Sequence, residues 1–153
     1  MSLAACVLAC LLAMATPGPM APLDRYFGTA QMSPIGIRQA IAYLGRNYDW
    51  RTMSDDQIVR EAEWVEQALY DWQRQFPRDN WLAPTAYRLM ELYAEIQTPD
   101  ARAHALDMMS YIVANWPAGK EARLCRAWLA QGFPPFHDEP PLRPSPTPSP
   151  SSS

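Results

Sequence analysis

Prolines divide the middle of this chain into segments of helix length. Ser33-Pro34 and Thr98-Pro99 are typical of helix starts, because Ser and Thr cap the first turn and Pro is favoured at the first helical position. Phe76-Pro77 and Trp116-Pro117 are typical of helix ends, because the residue before a proline avoids the α region. Neither an alternating run of β-branched residues nor an Asn-Gly or Asp-Gly turn occurs between them. The sequence therefore predicts an all-α fold.

Apolar residues recur within these segments at the spacing of one helix face. The clearest run follows the capping box at residues 54–57 and consists of Ile58, Ala62, Val65, Leu69 and Trp72. We expect the first helix to stop at Gly45, because glycine readily adopts the positive φ that ends a helix. The predicted helices cover residues 34–45, 54–76, 84–97, 99–116 and 120–131.

The N-terminus has the pattern of an export signal. The apolar run at 3–15 is shorter than the ~20 residues that span a bilayer, while the basic residues that usually precede such a run are missing from residues 1–23. The run ends in Ala13-Met14-Ala15, which matches a signal-peptidase site. We therefore expect residues 1–23 to be a signal peptide and leader, cleaved near residue 15, and the protein to be periplasmic or secreted. Lipidation at Cys6 or Cys10 is the alternative, and it would tether the protein to a membrane.

The composition of the C-terminus limits the extent of the folded domain, and the net charge limits the kinds of partner. Residues 134–153 contain eight of the sixteen prolines and five serines, which predicts a disordered tail and leaves residues 24–133 as the domain. The net charge of -3 and the absence of a basic block argue against nucleic-acid binding. Cleavage near residue 15 would leave Cys125 alone, so it is expected to be a buried, unbridged side chain.

Two helix ends repeat along the chain. Gln75-Phe76-Pro77 and Asn115-Trp116-Pro117 lie 40 residues apart, and superposing them places Leu69 on Met109. A period of this length with two helices per unit is typical of a helical repeat, in which each pair buries its apolar face on the next pair.

The segment 86–119 resembles one unit of the tetratricopeptide family. Leu89 and Leu92 match the large residues of the first helix of a unit, and Pro117 matches the proline that closes it. Tyr93 departs from the pattern, since Gly or Ala is usual there. The linker sequences Phe-Pro-Arg-Asp-x-x-Leu-Ala-Pro at 76–84 and Trp-Pro-x-Gly-Lys-x-Ala at 116–122 are similar to those of the tetratricopeptide proteins of the bacterial envelope. The resemblance implies about five helices, arranged as antiparallel pairs in a short right-handed array, and the function of a protein-binding adaptor or scaffold.

The sequence carries no pattern that indicates catalysis. The usual zinc spacings, the nucleophile elbow, the phosphate loop and the dinucleotide fingerprint are all missing from the sequence. We therefore expect a protein that is not an enzyme and that uses no cofactor, metal or catalytic residue. The alternative is a small helical enzyme or small-molecule binder, with a site near His104 or the carboxylates of residues 61–66.

Five residues are candidates for a partner-binding groove. Trp64, Tyr70 and Tyr87 lie off or at the edge of the apolar faces, and Arg88 and Glu91 flank Tyr87 as a polar rim. The alternative is that these aromatic residues pack on a neighbouring helix pair. The expected partner is a protein or peptide. Self-association stays open as well, because helical arrays generally need at least three units.

Overall fold

The computed structural model describes residues 18–136 and 138–145. This part of the chain forms five α-helices and no strand, which confirms the all-α prediction. The helices are α1 (Pro34–Asp49), α2 (Asp55–Gln75), α3 (Leu82–Ile96), α4 (Pro99–Asn115) and α5 (Lys120–Gln131). The predicted signal peptide, its cleavage site, Cys6 and Cys10 lie outside the described residues.

Short local motifs begin three of the helices. The side chains of Ser33 and Thr98 accept hydrogen bonds from the backbone N–H three residues further on, at 3.1 and 3.3 Å. Ser54 and Gln57 form the predicted capping box, in which each side chain accepts from the other residue's backbone N–H. These side chains satisfy N–H groups that have no partner within a helix.

Two helix boundaries differ from the predicted ones. Gly45 does not stop α1, which continues to Asp49 and ends where Arg51 adopts a positive φ of 54°. A glycine inside a helix weakens it but does not end it when the flanking residues continue the turn. The helix α3 begins at Leu82 rather than Pro84, because proline is tolerated throughout the first turn.

The helix α3 lies at the centre of the bundle. Consecutive helices pack against one another, and α1 and α5 each also contact α3. The apolar face predicted for α2, from Ile58 to Trp72, is buried along its whole length. The spacing of Leu129 from Ala122 and Cys125 predicts that it lies on the buried face of α5, but this prediction is wrong, since Leu129 is 48% exposed. As the last helix, α5 packs on one side only and buries little more than Ala122 and Cys125.

The helices α2 and α4 end in the same backbone geometry. Phe76 has φ −132° and ψ 61°, and Trp116 has φ −134° and ψ 57°. Each donates its N–H to the carbonyl four residues earlier, at 2.8 and 2.9 Å. The packing in helix pairs agrees with the resemblance described above, while the tetratricopeptide-like array itself stays a prediction.

The packed part of the chain begins before Asp24. Ala21 is buried, and its N–H donates to Oδ2 of Asp79 at 2.7 Å. Phe27 is fully buried and stacks on Trp72 with 6.0 Å between ring centroids. The segment preceding α1 is therefore part of the core.

Candidate functional site

Two open depressions lie side by side between α1 and α3. Their volumes are about 200 and 350 Å³, and both are lined by Arg38, Ala42 and Arg88. The residues behind them recur at helical spacing on one face of each helix, at 38, 42 and 45 on α1 and at 88, 91 and 95 on α3. We call these six positions, together with Trp81, the α1–α3 surface.

The α1–α3 surface is deepest around Gly45, which has no side chain. A Cβ atom built on Gly45 meets no other atom within 4 Å. Ala42 is the next residue on the same face and has only a methyl group. The small residues of α1 therefore leave open space above α3, and a larger side chain at position 45 would enter it.

The charges on the surface are separated along α3. Arg38 and Arg88 line both depressions, whereas Trp81 lines only the larger one, where the guanidinium of Arg38 lies 4.7 Å from the centroid of the Trp81 ring. Glu91 and Glu95 line the other depression. Partial burial, followed by the nearby carboxylates of Asp49 and Glu91, raises the pKa of Glu95. One end of the surface is therefore basic and the other acidic.

The five predicted groove residues lie in four places. Arg88 and Glu91 belong to the α1–α3 surface. Tyr87 is half-buried against the core, and burial raises the pKa of its hydroxyl. Trp64 is 45% exposed and lines a different depression, formed with residues 29, 30, 32 and 61. Tyr70 lies at the α2–α4 contact, edge-on to the ring of Tyr111. The five residues do not form one groove.

Tyr70 belongs to a polar cluster centred on Glu66. The Glu66 carboxylate accepts hydrogen bonds from the hydroxyls of Tyr70, at 2.7 Å, and Tyr93, at 3.0 Å. Nδ1 of His104 lies 3.0 Å from the same carboxylate, and its ring stacks on Tyr93 with 4.8 Å between centroids. Nε2 of His104 lies 3.4 Å from a carboxylate oxygen of Glu63. Glu66 thus joins α2, α3 and α4.

The chemistry of this cluster is that of a structural link. Burial, followed by the contact with Glu66, raises the pKa values of Tyr70 and Tyr93, so both hydroxyls stay protonated donors. Cys125, on α5, is not part of this cluster. Burial raises the pKa of its thiol to about 11, so the thiol stays protonated at neutral pH. The hydrogen bonds around Glu66 are made within the protein, and they hold three helices together.

Sequence reasoning missed Arg38, Gly45, Trp81 and Glu95. A signal for them was present, since the outward faces of α1 and α3 both carry charged and small residues at intervals of three and four. What the sequence does not show is that these two faces adjoin, because that depends on the packing of α1 on α3.

Comparison of the chain with protein-family models, with curated proteins and with solved structures finds no match in any of the three. Within residues 18–136 and 138–145, no helix is both long and apolar enough to cross a membrane. The same part of the chain holds no group of three or more His, Cys, Asp or Glu side chains arranged to bind a metal ion. The fold and the surface therefore define the class of this protein. It is a small all-α bundle with two adjoining open depressions between α1 and α3.

Proposed function

We propose that this protein is a non-catalytic adaptor or scaffold of the bacterial cell envelope, and that it binds an extended segment of a partner protein along the α1–α3 surface. The observation that carries this proposal is the pair of adjoining depressions between α1 and α3, whose floor includes Gly45 and Ala42. The envelope location rests on the export pattern of residues 1–23.

Binding would combine a small apolar floor with charged rims. Ile41 and Leu92 line the floor but are already buried in the bundle, so a partner side chain would mainly cover Ala42 and the half-buried ring of Trp81. The basic end at Arg38 and Arg88 and the acidic end at Glu91 and Glu95 would orient the segment, because complementary charges fix register and suppress wrong partners. The favoured ligand has an acidic residue at one end and a basic residue at the other.

A matched pair of variants at one position tests the proposal. Peptides would be selected from a random displayed library for binding to the full chain, and their affinities measured for Gly45→Ala and Gly45→Trp. The alanine variant adds one methyl group in open space and should bind as the wild type does. The tryptophan side chain should fill the depression and weaken binding by roughly tenfold or more, equivalent to about 1.4 kcal/mol.

Circular dichroism and thermal unfolding would show that both variants fold. Equal affinity of the selected peptides for the alanine and tryptophan variants would place their binding elsewhere and contradict the proposal.

A further inference from the structure

The proline-rich segment after α5 contacts the end of the bundle at two points. The first is Arg102, near the start of α4. Its guanidinium lies 3.9 Å from the centroid of the Phe136 ring and 5.2 Å from that of Phe133, and it also donates a hydrogen bond to the carbonyl of Pro134. A guanidinium this close to the face of an aromatic ring makes a favourable cation–π contact.

The second point is the start of α2. Oε1 of Glu139 accepts hydrogen bonds from the backbone N–H of Asp55 at 2.8 Å and from Nη2 of Arg51 at 3.2 Å. The same Nη2 donates to the carbonyl of Pro140 at 2.9 Å, and the N–H of Arg143 donates to the carbonyl of Arg51 at 2.7 Å. A carboxylate is therefore bound between an arginine and the positive end of a helix dipole, where negative charge is favoured.

The two contacts define the chemistry of a ligand. An aromatic ring meets Arg102, a carboxylate three residues further on meets Arg51 and α2, and a proline follows the carboxylate. The prolines keep the segment extended without leaving an unused backbone donor, since proline has no N–H. The tail composition alone does not predict these contacts.

The tail fits this surface incompletely. Nε of Arg51, Oδ2 of Asp55 and Nε of Arg102 are buried and have no hydrogen-bond partner within the described part of the chain. A buried polar group without a partner destabilises the state that contains it relative to one in which the group is paired. Residues 134–136 and 138–145 are themselves exposed. A segment of the same chemistry that paired these atoms would bind the surface more strongly than the tail does.

We propose that Arg51, the start of α2 and Arg102 form a recognition surface for an acidic, proline-rich protein segment with a Phe three residues before a Glu. Residues 133–136 and 138–145 occupy this surface in cis, and a partner segment of the same chemistry displaces them. The proposal is independent of the α1–α3 surface, so Gly45→Trp leaves it unaffected.

The test uses a fluorescent peptide of residues 133–145 and full-length chains, with binding followed by anisotropy. Glu139→Ala in the chain removes the carboxylate of the competing tail and should raise the affinity for the peptide by roughly tenfold over the wild type. Asp138→Ala is the matched control, because both acids are exposed but, of the two, it is Glu139 that hydrogen-bonds to Arg51 and to the start of α2 within the described part of the chain; this variant should leave the affinity at the wild-type value. Adding Arg102→Gln to Glu139→Ala should lose the gain, and Gly45→Trp should not change it.

Two results would overturn the proposal. One is equal affinity of the peptide for the Glu139→Ala, Asp138→Ala and wild-type chains. The other is equal binding of the Glu139→Ala chain by the native peptide and by a peptide in which Glu139 is alanine. If Glu139→Ala lowers the thermal unfolding temperature, Phe136→Ala in the chain releases the other end of the tail, and the same gain in affinity is expected.

Discussion

At the scale of single residues, Glu66 holds the polar part of the interior together. Its side chain is only 12% exposed, yet the carboxylate interacts with Tyr70, Tyr93 and His104 on three helices. Tyr93 is completely buried, so its hydroxyl depends on Glu66 for a partner. A buried donor left without a partner costs more than the hydrogen bond itself contributes.

Glu66→Ala is expected to lower the free energy of unfolding by about 2–4 kcal/mol, because it leaves two tyrosine hydroxyls near α2 without their acceptor. Glu63→Ala is the control. Its side chain is 48% exposed and lies 3.4 Å from His104, so the change should stay within about 0.5 kcal/mol. Urea denaturation at pH 7 measures both, and equal losses for the two variants would contradict the role given to Glu66.

Substitution by alanine is expected to have opposite effects on stability at Gly28 and at Gly45. Gly28 has a φ of +67°, and a Cβ built there lies 2.8 Å from Cα of Ala68, so Gly28→Ala should cost about 1–3 kcal/mol through strain and a clash with α2. Gly45 lies inside α1 with free space around it, so Gly45→Ala should stabilise by about 0.5–1 kcal/mol. Thermal unfolding compares the two, and a loss at position 45 would show that this space is not free.

At the scale of elements, the segment before α1 is joined to α2 by hydrogen bonds as well as by Phe27. The N–H of Gly28 donates to the carboxylate of Asp71 at 3.0 Å, and Arg25 donates to the side chain of Gln75. The Gly28 hydrogen bond is the largest of the effects that lower the pKa of Asp71 below its ordinary value. This pKa shift makes the attachment of the segment dependent on pH.

Because the pKa of Asp71 is lower in the folded than in the unfolded state, its contribution to stability is complete above the unfolded value, near 4, and is lost as the pH falls through the folded value. Asp71→Asn should therefore reduce stability by about 1 kcal/mol at pH 7, and the difference from the wild type should shrink in acid. Urea denaturation between pH 7 and pH 2.5 measures this. Asp107→Asn, at an exposed position on α4, is the control and should show no such trend. A difference in the free energy of unfolding between Asp71→Asn and the wild type that stays constant down to pH 2.5 would contradict the account.

The elements were largely predictable because their starts and ends depend on neighbouring residues. Ser54 and Gln57 cap α2 through contacts three residues apart, and Phe76 ends it before a proline. The burial of Ala21 and Asp79 was not predictable. It depends on the hydrogen bond from the Ala21 N–H to the Asp79 carboxylate, which joins residues 58 positions apart. The α1–α3 surface was only partly predicted, through Arg88 and Glu91, since its other half comes from α1.

At the scale of the whole molecule, two separate surfaces are suited to protein segments. The α1–α3 surface is open and carries charges of both signs. The surface at Arg51 and Arg102 is covered by the chain's own tail and favours an acidic ligand. In the function proposed above, an adaptor with two such surfaces would join two partners.

The location of a bound partner is the central point of this account. Amide hydrogen exchange of the full chain, alone and with a peptide selected for binding, measures it directly. We predict slower exchange in the α1 and α3 residues around positions 38–45 and 88–95, and unchanged exchange around Trp64. Protection confined to the surface around Trp64, with none on α1 or α3, would contradict the assignment of the α1–α3 surface as the binding site.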